Sequence, residues 1–398
     1  MILDFMKVLF VSAILPYPLY SGGQVRIYNL LSRLGKSHEI TLCTFLRTES
    51  EKQYERDIPF CKKILTYYRG HAWQPNYVIK SVLGPMPLLL TSYDHAALRE
   101  NIARELATRS YDLIHIEPWY VWKSLPKTDI PVVIATHNIE HEVYTEYVRR
   151  LRITPLRPGY YWDVVKLRYW EERIWRSARE LIAVSEDDAA VIRKVVGGQI
   201  PVRVVPNGVD VSSFHMKIKK ESTAPVFLFV GSFTWMQNRD AVGWLLKDIW
   251  PSLRGRYKGA TLRVVGRGMP AHLRSYIKSQ GGMLLEHVET IEEEFHNADV
   301  LLAPIRIGGG TSFKILEAMA SGLPVVTTTK GAAGLTVTGG KELMIGNTKE
   351  ELLKSVDVLL SSSARKNSMV RDGRNKIVRD YTWDRIASIQ ENVWKGCV

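Results

Sequence analysis

Lys314 and Glu317 stand three residues apart at the end of the run Ala303-Pro304-Ile305-Arg306-Ile307-Gly308-Gly309-Gly310-Thr311-Ser312-Phe313-Lys314-Ile315-Leu316-Glu317. At helical spacing they share one face. Glycines let a backbone approach a ligand closely. A helix restarting at Thr311 or Ser312 offers unpaired N–H groups and the positive end of its dipole. The glycine run through Gly309 and Gly310, the helix start at Thr311 and the side chain of Lys314 therefore read as a cationic cradle for a diphosphate. Glu317 reads as a carboxylate for a pair of hydroxyls, and a nucleotide sugar carries both groups. The bland alternative is an ordinary strand–helix turn with a solvated lysine–glutamate pair worth a few tenths of a kcal/mol.

Other candidates follow apolar runs elsewhere. Ser21-Gly22-Gly23-Gln24 leads into a helix containing Arg26, and Gly22 and Gly23 are candidate backbone contacts for phosphate or acceptor. His137 opens His137-Asn138-Ile139-Glu140-His141-Glu142, directly after a strand-like run, where a side chain points into a cleft rather than the core. A histidine capping the next helix is the alternative. His137 and His141 have the i, i+4 spacing of metal ligands, but the run is not HExxH and no third ligand is evident, so no metal is expected. Ser185-Glu186-Asp187-Asp188 reads as a helix N-cap with an acidic first turn. Gly231-Ser232 and Gly266-Arg267-Gly268 also follow strand-like runs.

The elements that must position these residues alternate throughout. Strands are expected at Lys7–Ala13, Glu39–Phe45, Leu113–Ile116, Val132–Thr136, Leu181–Val184 and Arg203–Val205, then at Val226–Val230, Leu262–Val265, Met283–Leu285, Val300–Ala303, Pro324–Thr327 and Leu343–Ile345. Continuous apolar strands alternating with helices imply parallel sheets covered on both faces. Ligands of such sheets gather at the carboxyl ends of strands. The series restarts after Pro206-Asn207-Gly208-Val209-Asp210, and the polar stretch Lys217 to Thr223 suits a linker.

Bulk properties agree with two domains. The chain has 398 residues, 45% hydrophobic and 24% charged, an ordinary globular composition. Cys43, Cys61 and Cys397 are too scattered for a disulfide framework or a zinc site, so a reducing cytoplasm is the expected setting. Lys7 lies inside the first apolar run and Pro16 follows it, which favours a buried strand over a targeting segment. The formal net charge of +13 calls for an anionic partner. No zinc-finger spacing or RNA-recognition motif is present, so no nucleic acid is expected.

The order His137-Asn138, Ser185-Glu186, Val204-Val205-Pro206-Asn207-Gly208-Val209-Asp210, Phe229-Val230-Gly231-Ser232, Val265-Gly266-Arg267-Gly268, Leu316-Glu317-Ala318-Met319-Ala320, Pro324-Val325-Val326 and Tyr381-Thr382-Trp383 resembles the retaining GT-B glycosyltransferases, in particular glycosyltransferase family 4. The resemblance spans essentially the whole chain and is most specific from Ala303 to Val326. It implies an α/β fold of the GT-B kind, two Rossmann-like domains with parallel sheets facing across a cleft. Residues 1–206 would form the acceptor domain, 207–380 the nucleotide-sugar domain, and 381–398 a helix crossing back to the first. Glu317 matches the family glutamate that binds the ribose hydroxyls, and His137 the histidine that contacts the donor sugar. By the same resemblance, Ser232, Gly266 and Arg267 fall in loops that would line the donor.

Two positions depart from the family pattern. The first glutamate of the Glu-x7-Glu motif falls at Gly309. The arginine and lysine that neutralise the leaving diphosphate correspond to Ser232 and Asn238, leaving Arg306 and Lys314 as local substitutes. The implied reaction moves a sugar from a nucleoside diphosphate sugar to a hydroxyl with retained configuration and no metal or other cofactor. Bacterial polysaccharide or glycolipid synthesis is the expected setting. A non-catalytic scaffold or regulatory subunit, motivated by Gly309, and a nucleotide-sugar epimerase on the same architecture are the rival readings. A phosphorylase on the same architecture is a further rival, but it would need a lysine-bound cofactor, for which the sequence gives no case.

One segment suggests where an acceptor would be met. Arg149-Arg150-Leu151-Arg152 continues through Arg157, Tyr160-Tyr161-Trp162, Lys166, Arg168-Tyr169-Trp170, Arg173, Trp175-Arg176 and Arg179. Arginine with tyrosine and tryptophan suits an anionic membrane surface, where a lipid-linked sugar acceptor would lie. A protein peripheral to the inner face of the membrane is one expectation. A helix with one aromatic face packed on the domain and a solvated basic face is the other.

Overall fold

The structure is a computed structural model that describes residues 5–71, 73–151, 155–216 and 224–398. The expected linker, 217–223, and Arg152 of the basic segment lie outside the described residues. The chain divides into two compact units, Met1–Pro206 with Ile386–Val398, and Asn207–Arg385.

In the first unit seven strands form one parallel sheet, β1 (Lys7–Ser12), β2 (Glu39–Leu46), β3 (Lys63–Tyr68), β4 (Leu113–Glu117), β5 (Val132–Thr136), β6 (Glu180–Ala183) and β7 (Val202–Val204). Their order is β3-β2-β1-β4-β5-β6-β7. Sequence reading misses β3, because KILTYY carries no continuous apolar run and its strand is half-buried to exposed. The register sets Val8 against Ile40 on one side of β1 and against Leu113 on the other. A core of Leu9, Val11, Ile114, Ile134, Leu181 and their neighbours packs between sheet and helices.

The second unit carries β8 (Val226–Val230), β9 (Thr261–Val265), β10 (Met283–Leu285), β11 (Val300–Ala303), β12 (Val325–Thr327) and β13 (Met344–Ile345), again parallel, in the order β10-β9-β8-β11-β12-β13. It has its own core around Phe227, Phe229, Val264, Leu301 and Val326.

Both orders reverse once, between β1 and β4 in the first unit and between β8 and β11 in the second. At a reversal the connecting helices leave on opposite faces and the loops after the two strands part, opening a crevice at their carboxyl ends. The loop after β1, which leads into the helix that Gly22 and Gly23 begin, and the last residue of β4, Glu117, flank the first reversal. The loops after Val230 and after Ala303 flank the second.

The candidate functional site

In the second unit, the glycine run connects β11 to the helix Phe313–Ala320. Gly308 and Gly310 have φ of 121° and 68°, in the region that side chains avoid. The helix begins one or two residues later than the sequence suggests. Its N-cap is Ser312, and no side-chain cap bond is made. The Ser312 hydroxyl therefore satisfies no first-turn amide, while the Ser312 carbonyl accepts from the Ile315 amide at 3.1 Å. Asn207 donates from Nδ2 to the carbonyl of Thr311 at 3.0 Å, pinning the end of the glycine loop. That role of the Pro-Asn-Gly run is one the sequence reading misses.

Lys314 leaves the first turn and donates to Oδ1 of Asn238 at 2.6 Å, with its ammonium 4.8 Å from the centre of the Phe229 ring. Asn238 donates in turn to the Ser232 carbonyl at 2.8 Å. The ammonium thus stands at the tip of residue 238, the position where the family resemblance implies a cation. Burial pulls the Lys314 ammonium down to about 7, opposed by the nearby Glu317 charge. Burial pushes the Glu317 carboxyl up to about 7, with Glu292 adding to the rise and Lys314 opposing it.

Arg306 is differently placed. Its Nε and Nη2 donate to the two carboxylate oxygens of Asp240 at 3.0 and 2.8 Å. Its guanidinium lies 4.7 Å from the centre of the Trp244 ring. The sequence presents it as an equal alternative to Lys314, but the structure gives its charge a carboxylate partner. Ser232 shares a hydrogen bond with Thr234, Oγ to Oγ1 at 2.8 Å. Gly266 has φ of 143°, and a Cβ there would sit 1.9 Å from the Gly231 carbonyl oxygen. Close packing of the loops after β8 and β9 already requires this glycine, whatever it contacts. Arg267 is exposed beside it.

In the first unit, Gly22 and Gly23 begin the helix Gly22–Leu34, whose N-cap Ser21 accepts from the Gln24 amide. A Cβ on Gly23 would stand 3.6 Å from His137 Cε1, an ordinary contact, so His137 and this helix start are neighbours. His137 follows β5 and its Nε2 lies 2.7 Å from Glu117 Oε1. Arg26 donates from Nε to the same oxygen at 2.6 Å and from Nη1 to the Pro206 carbonyl at 2.9 Å. His115 Nε2 lies 2.9 Å from Glu117 Oε2. Desolvation opposes the charge on Glu117, but Arg26 and the two histidines hold the carboxyl well below its usual range. His141 instead bonds Glu171 through Nδ1 at 2.7 Å, so the two histidines of the His137–Glu142 run engage different carboxylates. Ser185 caps the helix Glu186–Val196 by accepting from the Asp188 amide. Glu117 and His115 were not singled out by sequence, because a carboxylate at the end of an apolar strand carries no local signature.

Two family descriptions match the chain, Glycosyltransferase Family 4 over residues 20–213 and Glycosyl transferases group 1 over residues 224–362. Among curated relatives, an uncharacterised protein in the cps region of Klebsiella pneumoniae is 22% identical over 86% of this chain and 87% of its own. A phosphatidyl-myo-inositol mannosyltransferase of Mycobacterium leprae is 25% identical over 73% of this chain and 75% of its own. Among solved structures, sucrose-phosphate synthase from Thermosynechococcus elongatus aligns with a TM-score of 0.76 at 16% identity, covering 98% of both chains. The Anabaena HepE protein in complex with UDP and glucose aligns with a TM-score of 0.63 at 16% identity, covering 98% of this chain and 99% of its own. With two parallel sheets, a glycine loop opening onto Lys314 and Glu317, and a histidine held at the other reversal, this chain belongs to the group 1, family 4 glycosyltransferases of the GT-B fold.

Proposed function

We propose that this glycosyltransferase is a retaining enzyme that takes a sugar from a nucleoside diphosphate sugar and passes it to a hydroxyl of a sugar or lipid-linked sugar. The observation that carries this reading is the reach of Lys314 to Asn238 Oδ1 across the reversal of the second sheet. It puts one cation beside the amides of a helix start that lacks a side-chain cap, the arrangement that a leaving diphosphate needs. Glu317, on the same helix face, would take the ribose hydroxyls. His137, one residue past β5, would meet the donor sugar. UDP in the related Anabaena structure supports a nucleotide donor.

In the transfer itself the bond from the anomeric carbon to the diphosphate oxygen breaks and a bond to the acceptor oxygen forms on the same face. The acceptor proton passes to the departing diphosphate. The protein supplies position and charge: Lys314 and the positive end of the helix meet the growing negative charge, and a half-buried site strengthens each contact. No step is assigned to a metal. Arg306 is left out of this role because Asp240 already neutralises it.

The acceptor side is proposed from surface chemistry. Between Trp73 and Tyr93 Lys80 is the lone charged residue, and Trp73, Ile79, Val82 and Leu83 are exposed. Lys166 of the helix Arg157–Trp175 bonds the Ser81 carbonyl at 2.6 Å, joining that helix to this segment. Trp162, Val165 and Tyr169 are exposed along the helix. Glu171 is buried and Glu172 pairs with Arg168, which leaves a basic, apolar surface suited to an anionic membrane. Among the described residues no helix is long and apolar enough to cross a membrane.

The deciding experiment is release of nucleoside diphosphate from UDP-, GDP-, ADP- and dTDP-sugars with a membrane lipid extract as acceptor, comparing wild type with Glu317→Ala. Release from one donor, lost in the variant, with the product anomer retained, is expected. Silence across the panel would favour the scaffold reading. Conversion of a donor without acceptor would favour an epimerase.

A further inference from the structure

Four side chains lie end to end beneath His137. Trp394, from the helix Trp383–Cys397, donates from its indole Nε1 to His115 Nδ1 at 3.0 Å. His115 Nε2 meets Glu117 Oε2 at 2.9 Å, and Glu117 Oε1 meets His137 Nε2 at 2.7 Å. Trp394, His115 and Glu117 are each 0% exposed, whereas His137 is 20% exposed. The series therefore starts in the core and ends at the surface, beside the helix start at Gly23.

The donors and acceptors fix where the protons sit. An indole N–H only donates, so His115 Nδ1 must accept and carries no proton. The ring is then neutral, with its proton on Nε2, and it donates to Glu117. Phe10 stacks on it with centroids 4.5 Å apart, which holds the ring plane. Glu117 as a carboxylate only accepts, and Arg26 donates to the oxygen that also meets His137. His137 must therefore donate from Nε2, which turns its Cε1 and Nδ1 edge toward Gly23. Burial independently pulls His115 toward its neutral form.

We propose that Glu117 is a positioning residue for His137, fixing its Nε2–H tautomer and ring direction, and that Trp394 and His115 hold Glu117 from behind. This rests on the reading that His137 meets the donor sugar. The consequence is that a residue of the last helix, 257 positions from His137 in sequence, sets a contact at the donor. A carboxylate is needed, because three donors converge on it from three elements. Its length is needed too, since a shortened side chain withdraws the carboxylate from the 2.7 Å contact with His137 Nε2.

The test uses the full-length protein labelled with ¹⁵N-histidine, with long-range proton–nitrogen NMR of His115 and His137 beside turnover of UDP-glucose and GDP-mannose. In wild type both rings are expected with the proton on Nε2. Glu117→Asp keeps the charge for Arg26 but withdraws it by about 1.5 Å, the length of a carbon–carbon bond. His137 is then expected to show both tautomers, with kcat reduced about 10- to 100-fold and donor KM within about twofold. Trp394→Phe should release His115 into both tautomers with a smaller loss of kcat. A wild-type His115 protonated on Nδ1 overturns the proposal without any variant having to fold. So does Glu117→Asp with His137 unchanged, or with a changed tautomer and an unchanged kcat. Wild-type protein with both rings as stated but no turnover of any donor leaves the relay standing and overturns the transferase reading instead.

Discussion

The ammonium of Lys314 reaches the amide oxygen of Asn238 at 2.6 Å, from a helix that follows β11 to a helix that follows β8. Family resemblance implies a cation at residue 238, and here another segment brings the Lys314 ammonium to the tip of Asn238. Lys314→Ala is expected to lower kcat at saturating donor by about 10- to 150-fold, the effect of one charge-assisted hydrogen bond worth about 1.5–3 kcal/mol. Adding Asn238→Lys to that variant should recover at least part of the loss, because it returns the charge from the other side. Nucleoside diphosphate release measures both. Unchanged turnover in Lys314→Ala removes the residue from the site.

The same lysine predicts how donor binding responds to pH. Its ammonium is held at about 7 instead of 10.5, so the folded protein binds fewer protons than the unfolded chain between those values. Stability from this group therefore rises with pH across that window and falls as pH drops toward 7. Glu317, raised from 4.5 to about 7, acts in the opposite range, binding a proton in the folded state and losing its contribution as pH rises through 7. A diphosphate favours the charged lysine, so donor binding should take up a proton at pH 8 and weaken as pH rises further. Calorimetry in buffers of different ionisation enthalpy reads that proton. Lys314→Met should abolish the uptake and raise Tm at pH 8, since an apolar side chain carries no desolvation cost there.

Arg306 makes the contrasting prediction. Its two bonds to Asp240 and its position over Trp244 tie the loop after β11 to the helix Met236–Trp244. Arg306→Ala should lower Tm by several degrees, as a charge left without its partner is costly. Its kcat at saturating donor should fall less than that of Lys314→Ala. Thermal melts and turnover on the two variants decide between them, and a larger kcat loss at Arg306 would reverse the assignment.

Much of this was legible in the residues, for a physical reason. Buried parallel strands are continuous apolar runs, so Val132–Thr136, Val226–Val230 and Val300–Ala303 appear in the structure as read. KILTYY did not, since a strand at the sheet edge tolerates polar residues. The glycine loop announced itself because the φ of Gly308 and Gly310 favours glycine. What stayed hidden was long-range pairing. Nothing near Glu117 in sequence points to Arg26, 91 residues away, or near His115 to Trp394, 279 residues away. The same spacing argument that singled out Arg306 and Lys314 could not see that Asp240 answers one and Asn238 the other.

The exposed segment before Asp94 yields the last prediction. Leu83 is 83% exposed and Val82 70%, on a helix whose lone charged side chain is Lys80. Such side chains gain little from water, whereas each placed in lipid is worth about 1.5–3 kcal/mol. The exposed arginines of the basic segment add about 1 kcal/mol apiece near an anionic surface. The two contributions separate experimentally. Flotation with phosphatidylglycerol vesicles should fall with added salt and with Arg149→Glu/Arg150→Glu. Val82→Asp/Leu83→Asp should abolish it even at low salt while Tm holds, because neither side chain packs in the core. Binding that survives the paired aspartates, or that is equal on neutral phosphatidylcholine vesicles, would place the contact elsewhere.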